Sequence, residues 1–131
     1  MSNAQLNVLG DFKTNKDVGV QVSLNVVQFK SDDVEVLYAP ALELYGYGNT
    51  FEEAQQSFQI SLAEFLSYTK TKGTFESELQ RLGWKTEVVK EQKKFTTPTF
   101  SELLISNPRL TDIINNNDIQ THSTNIPLAM A

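Results

Sequence analysis

The sequence predicts an α+β fold, in which a three- to four-stranded antiparallel sheet packs against one long helix. Apolar and polar residues alternate through much of the first half of the chain, and this period of two is typical of half-buried strands. From Thr50 onward the apolar residues instead recur at helical spacing and form a single stripe. The predicted order of elements is therefore β-β-β-α-(α)-β, followed by a short helical C-terminal extension.

Length and composition narrow the classes of protein that fit. The chain has 131 residues with 40% apolar content, which suits one domain with a substantial core. No apolar run approaches the roughly 18 residues that span a bilayer, and the N-terminus lacks the regions of a signal peptide, so no membrane association is expected. The chain has no Cys, which excludes disulfides and thiolate metal sites. These features favour a cytoplasmic protein.

The chain divides by composition into three parts. Residues 1–17 show little periodicity and are interpreted as a flexible N-terminal arm. Residues 18–94 hold the predicted α+β domain. Residues 95–131 form a C-terminal extension, which is expected to contain two short helices and an extended tail. Arg109 is the only Lys or Arg of this extension.

Four strands are predicted from alternation, over residues 18–26, 34–38, 42–47 and 86–89. The apolar doublet Val26-Val27 shifts the phase of the first strand, which suggests a bulge or a strand end. Pro40 interrupts the second strand because it cannot donate to a ladder. The close spacing of the first three strands predicts an antiparallel meander, which the fourth strand would close.

The long helix is predicted over residues 50–71. Thr50 and Glu53 are the two ends of a capping box, the acids of the first turn suit the helix dipole, and Gly73 follows as a stop. Ile60 falls opposite the apolar stripe and is a candidate contact residue. The stripe itself consists of Phe51, Ala54, Phe58, Leu62, Phe65 and Leu66.

Several shorter elements are predicted after the long helix. They are helices over residues 74–82 and 101–105, a helix that begins at Asn107-Pro108, and an extended segment over residues 119–130. Trp84 follows the first of these helices, and we expect it to act as a lid on the core rather than as a ligand-binding residue.

No catalytic constellation is predicted. His122 is the only His, and its polar surroundings favour an exposed side chain over a general base. Asp32, Asp33 and Glu35 are better explained as a solvated turn than as a metal site. Residues 46–50 lack the Gly-Lys-Ser/Thr of a P-loop and are typical of a tight strand-to-helix turn. We therefore expect no enzyme activity, no metal and no cofactor.

The formal charge of −5 is unevenly distributed. Positions 32 to 64 contain no Lys or Arg but seven acids: Asp32, Asp33, Glu35, Glu43, Glu52, Glu53 and Glu64. This stretch is either one of two solvated faces, which is the commoner outcome, or a surface that attracts a basic partner. In the second interpretation the candidate partner-binding residues are Asp32, Asp33, Glu35, Glu43, Tyr45, Tyr47 and Ile60. The excess of acids and the single cation of the tail argue against DNA binding.

Residues 20–84 resemble the HicB-like family of antitoxin-related proteins. The resemblance rests on Tyr38-Ala39-Pro40 with Leu42, on Gly46-Tyr47-Gly48-Asn49-Thr50, and on Glu52-Glu53-Ala54. These segments are similar to the family's strand with a proline-containing loop, to its glycine-(acid or amide)-threonine turn, and to the Glu-Ala start of its helix. The residues of this structural motif are Pro40, Gly46, Gly48, Thr50, Glu53 and Ala54.

The resemblance implies a partial ribonuclease-H-like domain without an active site, frequent homodimers, and binding to a small HicA-type ribonuclease toxin. The chain departs from the family pattern at Ala41, where an acid is usual, and at Glu43-Leu44, where Pro-Gly is usual. Its tail also lacks the basic DNA-binding module that many members carry. We therefore predict a protein-binding module that neutralises a small basic ribonuclease toxin and forms a homo-oligomer, with a dimer favoured. The alternative is a stand-alone oligomeric structural or interaction protein with no toxin partner.

Overall fold

The computed structural model describes residues 20–128 of the chain. Its elements, in chain order, are β1 (Val20–Ser31), β2 (Val34–Ala39), β3 (Leu44–Gly48), α1 (Phe51–Lys72), α2 (Phe75–Arg81), β4 (Lys85–Val89), β5 (Gln92–Thr96), α3 (Phe100–Ser106), α4 (Pro108–Asn116) and β6 (Gln120–Leu128). The predicted N-terminal arm, the start of the first predicted strand and the end of the predicted tail lie outside the described residues. The predicted α+β class is confirmed.

Four antiparallel strands form the main sheet, in the order β3-β2-β1-β6. β1 and β2 are joined by a two-residue hairpin turn, Asp32-Asp33, in which the φ angles are 51° and 69°. Two successive residues with positive φ are typical of the type I′ turn, whose twist matches that of the flanking strands. Asp enters the left-handed region more readily than most residues, so this pair can form the turn without Gly.

β1 is buried on both faces around the doublet Val26-Val27. Both side chains are fully buried, and the ladder continues in register past them, with Val26 opposite His122 and Val27 opposite both Tyr38 and Thr121. The predicted bulge or strand end at this doublet is therefore wrong. The doublet instead marks a central strand with a layer packed on each side, and such a strand does not need to alternate.

The fourth strand of the main sheet is β6, and not the strand predicted at residues 86–89. β4 does form there, but it pairs with β5 in a separate two-stranded sheet. The chain reverses between them through Lys90 and Glu91, which both have positive φ although neither is Gly or Asn. β6 lies antiparallel to β1 over its whole length. The C-terminal segment is therefore an integral part of the main sheet.

α1 begins and ends within one residue of the predicted bounds. The Thr50 hydroxyl accepts a hydrogen bond from the Glu53 N–H at 3.1 Å, and Gly73 ends the helix with a φ of 70°. The Glu53 carboxylate accepts a hydrogen bond from the Asn49 N–H at 2.8 Å. The capping box predicts the Thr50 N–H as this donor, so the observed donor lies one residue earlier in the chain. An N-cap of this kind stabilises a helix by about 1 kcal/mol. Although α1 has 22 residues, no described helix is apolar enough to cross a bilayer.

α1 packs directly on the backbone of β3 at two glycines. A Cβ atom at Gly46 would collide with the Ala54 carbonyl oxygen and the Phe58 backbone nitrogen, and one at Gly48 would collide with Glu53 and Ala54. Ala54 and Phe58 are themselves fully buried. These motif residues thus serve the fold, because they let helix and strand approach more closely than larger residues would.

α4 covers the face of the main sheet that is opposite to α1. Tyr38 and Tyr45 are paired across β2 and β3, so their side chains share one face, while Gly46 faces α1. Asn107, the N-cap of α4, donates from its amide nitrogen to the Tyr38 hydroxyl at 2.8 Å. Arg109 donates to the Tyr45 hydroxyl at 3.0 Å. The main sheet therefore lies between two helical layers.

Trp84 closes the core beneath the loop that follows β2. Its side chain is buried, and its indole N–H donates to the Ala41 carbonyl at 2.8 Å. Phe75 and Phe95 pack edge to face with centroids 5.8 Å apart, which fastens the β4–β5 hairpin to α2. Because the one polar atom of the Trp84 side chain has a partner, the ring can be buried without an unpaired donor. The predicted role of Trp84 as a core lid is confirmed.

Candidate protein-binding surface

One end of the main sheet gathers many of the acids that the sequence assigns to a partner surface. The register places Glu35 opposite Gly48, next to the start of α1, and the β1–β2 turn lies just beyond. The acids that meet there are Asp32, Asp33, Glu35, Glu52 and Glu53, and we call this group the acidic end. All of them are exposed except Glu35, which is half-buried. The topology thus places the acids in the first turn of α1 at the same end of the sheet as the acids of the hairpin turn.

Little positive charge balances the acidic end. The Lys30 ammonium lies 3.6 Å from the Glu35 carboxylate, which also accepts a hydrogen bond from the Gln28 amide at 3.3 Å. In the part of the chain that the structure describes, the exposed carboxylates of the acidic end form no ion pair. Their like charges sum to a negative potential at this end of the main sheet.

Three tyrosines form a stacked ladder that runs from the core to the surface. The ring centroids of Tyr38 and Tyr45 are 4.4 Å apart, and those of Tyr45 and Tyr47 are 5.7 Å apart with nearly parallel planes. Burial raises the pKa of the Tyr38 hydroxyl, although the hydrogen bond from Asn107 opposes this effect. Tyr47, near the α1 end of β3, is 54% exposed. The ladder therefore ends in an open aromatic ring near the end of β3, on the sheet face that points away from α1.

The outer edge of β3 is tied to α1 by two side chains. The Tyr47 N–H donates to the Ser57 hydroxyl at 3.1 Å, and the Ser61 hydroxyl donates to the Tyr45 carbonyl at 3.0 Å. These bonds satisfy backbone groups that would otherwise face solvent at a sheet edge. They also fix the backbone from which the Tyr47 ring projects.

A second polar feature lies at the other end of β3. A groove of about 400 Å³ is lined by Tyr38, Glu43, Asn107, Pro108, Arg109 and Asp112. The Arg109 guanidinium lies 5.9 Å from the Tyr45 ring centroid, and its hydrogen bond to the Tyr45 hydroxyl raises the pKa of Arg109. Glu43, which has a positive φ of 55°, therefore faces the start of α4 and is separated from the acidic end by the length of β3.

The structure divides the predicted partner-binding residues between separate places. It brings together Asp32, Asp33 and Glu35, places Tyr47 on the opposite face of the sheet stacked on Tyr45, and places Glu43 and Ile60 elsewhere. Ile60 is 60% exposed on the outer surface of α1. Sequence analysis missed Arg109 as a neighbour of β3, because its contact with Tyr45 joins residues 64 positions apart. The one local signal was the Asn107 cap, which sets the start of α4.

His122 is not the exposed side chain that the sequence predicts. It is half-buried on β6, with Nε2 2.7 Å from the Gln28 side-chain oxygen and its ring centroid 5.8 Å from that of Phe51. Burial lowers the pKa of His122 below its usual 6.5. The amide oxygen of Gln28 orients the imidazole but is no nucleophile for it to activate. Among the described residues, no group of three His, Cys, Asp or Glu side chains could hold a metal ion.

Neither a family model, a curated protein nor a solved structure matches the chain. The resemblance to the HicB-like family therefore stays a prediction from the motif residues. The function has to be inferred from the geometry and charge of the surface itself.

Proposed function

We propose that the chain is a protein-binding module of the HicB-like antitoxin type, which neutralises a small basic ribonuclease toxin in the cytoplasm. The observation that carries the proposal is the acidic end, where exposed carboxylates form no ion pair with any described residue. The open ring of Tyr47 lies near this end, on the face of the main sheet that points away from α1. A ribonuclease presents cationic groups to the phosphates of RNA, so an acidic surface can occupy the same region. Binding there would exclude RNA without any chemistry by this chain.

The two parts of this surface contribute differently. The carboxylates increase the association rate, and their effect falls with added salt because charges are screened over about 10 Å at 0.1 M ionic strength. Tyr47 offers apolar area that is buried on contact, and aromatic side chains are enriched at binding hot spots. Stacking on Tyr45 and the bond to Ser57 already restrict Tyr47. Little conformational freedom is therefore lost when a partner covers it.

Co-expression with the small open reading frame adjacent to the gene tests the proposal. We expect the wild-type chain to restore growth and to co-purify with the product of that reading frame. The triple variant Asp32→Asn, Asp33→Asn, Glu52→Gln removes three charges from the acidic end and should weaken binding roughly tenfold or more. Asn is used in the hairpin turn because it tolerates positive φ as well as Asp does.

A matched control removes the same charge from elsewhere. The variant Glu64→Gln, Glu87→Gln, Glu91→Gln changes exposed acids outside the acidic end and should bind like the wild type. Failure of the wild-type chain to restore growth would contradict the proposal. Equal weakening in both triple variants would also contradict it, because binding would then depend on net charge and not on the acidic end.

A stand-alone oligomeric interaction protein without a toxin is the second candidate function. The observation that favours it is β6, an edge strand of nine residues whose only strand partner among the described elements is β1. Deletion of residues 96–131 is not a clean test, because it also removes this strand from the main sheet. A suitable test leaves β6 paired with β1 and changes only its outer edge.

A further inference from the structure

The two edges of the main sheet are protected unequally. β3 has five residues, and the outward N–H of Tyr47 and C=O of Tyr45 already bond to Ser57 and Ser61 of α1. β6, at the other edge, has nine residues, and no other described element is bonded to its outer side. An uncovered edge of this length presents a row of backbone donors and acceptors to another strand.

The direction of each backbone group in the main sheet follows from the register. Residues of an antiparallel strand alternate between pointing their N–H and C=O toward one neighbour and toward the other. Tyr45 and Tyr47 point theirs away from β2, since they bond to α1. Residues opposite each other in an antiparallel pair point their backbone groups either toward each other or away from each other. Applied through the register, this rule points the N–H and C=O of Val27 toward β2 and those of Val26 toward β6. On β6 the same rule points the N–H and C=O of the odd-numbered residues away from β1.

The outward residues of β6 are therefore Thr121, Ser123, Asn125 and Pro127. Pro127 fits this assignment, because on the outward side its missing N–H removes no bond to β1. Thr121 and Ser123 are exposed. Monomeric proteins commonly place Lys or another charge on such an edge to prevent pairing, yet positions 120–128 contain no Lys, Arg, Asp or Glu.

We propose that a second copy of this chain pairs along the outer edge of β6, antiparallel and related by a two-fold axis, so that the two main sheets become continuous. An antiparallel strand pair of identical segments is self-complementary under this symmetry. Each copy has a formal charge of −5, so two copies repel wherever their acids meet. The uncharged outer edge of β6 lets them approach without that repulsion, and the hydroxyl side chains of Thr121 and Ser123 can pair across the new ladder.

This dimer gives a specific form to the second candidate function and does not involve the acidic end. Its failure would therefore leave toxin binding untouched, and the failure of toxin binding would leave the dimer untouched. The two are separated experimentally because each has its own variants.

Size-exclusion chromatography with light scattering of the full chain tests the pairing. Wild type should have twice the mass of one chain. The variant Thr121→Lys, Ser123→Lys places like charges opposite each other in the new ladder and should weaken dimerisation at least about tenfold. The control Ser23→Lys, Asn25→Lys puts the same charge on exposed positions of β1, opposite Asn125 and Ser123, and should remain dimeric.

Three outcomes would overturn the proposal. Two of them are a wild-type chain that is monomeric at every concentration tested and a dimer that the β6 lysines leave intact. The third is a monomer that dimerises only after removal of residues 1–19, because the chain's own N-terminal segment would then cover the edge. If circular dichroism shows that the lysine variant is unfolded, Ser123→Pro replaces it, since the N–H that it removes points outward and makes no bond to β1, and this variant should also yield monomer.

Amide hydrogen exchange provides an independent measurement on the unaltered chain. At concentrations where the dimer is populated, the outward N–H groups of Thr121, Ser123 and Asn125 should exchange more slowly than in dilute, monomeric protein. The N–H groups of His122 and Thr124 point toward β1 and should be protected in both. Equal exchange of the outward groups in the two samples would contradict pairing at this edge.

Discussion

His122 lies where three elements meet, between Gln28 of β1 and Phe51 of α1. Burial lowers the pKa of its imidazole below 6.5, so the folded chain binds this proton less readily than the unfolded chain does. The stability contributed by this group is complete above the unfolded pKa and is lost as pH falls through the folded pKa. Urea unfolding between about pH 8 and pH 5 should therefore show a free energy of unfolding that decreases toward acid.

The control for this pH dependence is His122→Gln, which keeps a polar side chain but does not titrate. The free energy of unfolding of this variant should change less over the same range, since most carboxylates titrate below about pH 5. A decrease of the same size in the variant would assign the pH dependence to other groups.

Gly46 is required because α1 lies against its Cα atom. Gly46→Ala should lower the free energy of unfolding by roughly 3 kcal/mol, because the atoms it meets belong to the helix backbone and cannot rotate aside. Gly73→Ala is the matched comparison, since a Cβ there meets no atom within 4 Å and only the left-handed φ is strained, at about 1 kcal/mol. Urea denaturation of both variants checks this order, and an equal or smaller effect at Gly46 would contradict the close packing.

Residue roles were predictable where the determining contact is local. The caps Thr50, Gly73 and Asn107 were identified because each acts on backbone groups within one or two turns. The exposure of His122 was not predictable, because its partner Gln28 is 94 positions away and meets it only once β6 pairs with β1.

Among the elements, α4 depends on Asn107 in two ways. The side-chain oxygen of Asn107 accepts hydrogen bonds from the N–H groups of Arg109 and Leu110. Its side-chain nitrogen donates to the Tyr38 hydroxyl. Asn107→Ala removes the cap and leaves a buried hydroxyl without this partner, so it should lower the free energy of unfolding by roughly 2 to 3 kcal/mol. Thr99→Ala, which removes only the cap of α3, should cost about 1 kcal/mol.

A double-mutant cycle separates the two contributions of Asn107. In a Tyr38→Phe background the tertiary hydrogen bond no longer exists, and Asn107→Ala should then cost about 1 kcal/mol, like Thr99→Ala. Urea unfolding of the four proteins of the cycle provides the values. A cost that does not change in the Tyr38→Phe background would show that the contact between α4 and the sheet contributes nothing.

Strand pairing was the least predictable property of the elements. Residues 86–89 and 119–130 were both predicted to be extended, but alternation identifies a strand without identifying its neighbour. Lys90 and Glu91 return the chain onto β4 through positive φ angles that their residue types do not signal. β6, and not β4, pairs with β1, the strand that has a buried apolar residue on each face at Val26-Val27.

For the molecule as a whole, the pairing of β6 with β1 predicts that the C-terminal segment unfolds together with the rest of the chain. Trp84, the only Trp, is buried beneath the loop that follows β2 and reports the opening of the core. Unfolding followed by Trp84 fluorescence and by far-ultraviolet circular dichroism should therefore give coincident transitions. Two separate transitions would contradict an integral β6 and would favour an independent extension.

The partner surface could be predicted only in part, because its members are brought together by the topology of the whole molecule. The sequence indicates an acidic stretch, but the hairpin and the strand-to-helix turn decide which acids meet. Glu52 and Glu53 join Asp33 at the acidic end, whereas Glu43, close to Tyr45 in sequence, faces α4 at the other end of β3.

The most direct test of the account is calorimetric titration of the full chain with the purified product of the adjacent open reading frame. The account predicts binding that weakens with added salt, that falls roughly tenfold or more in the variant Asp32→Asn, Asp33→Asn, Glu52→Gln, and that is unchanged in the control variant with substitutions at Glu64, Glu87 and Glu91. No binding by the wild-type chain, or equal affinity of the two variants, would contradict the proposal that the acidic end captures a basic toxin.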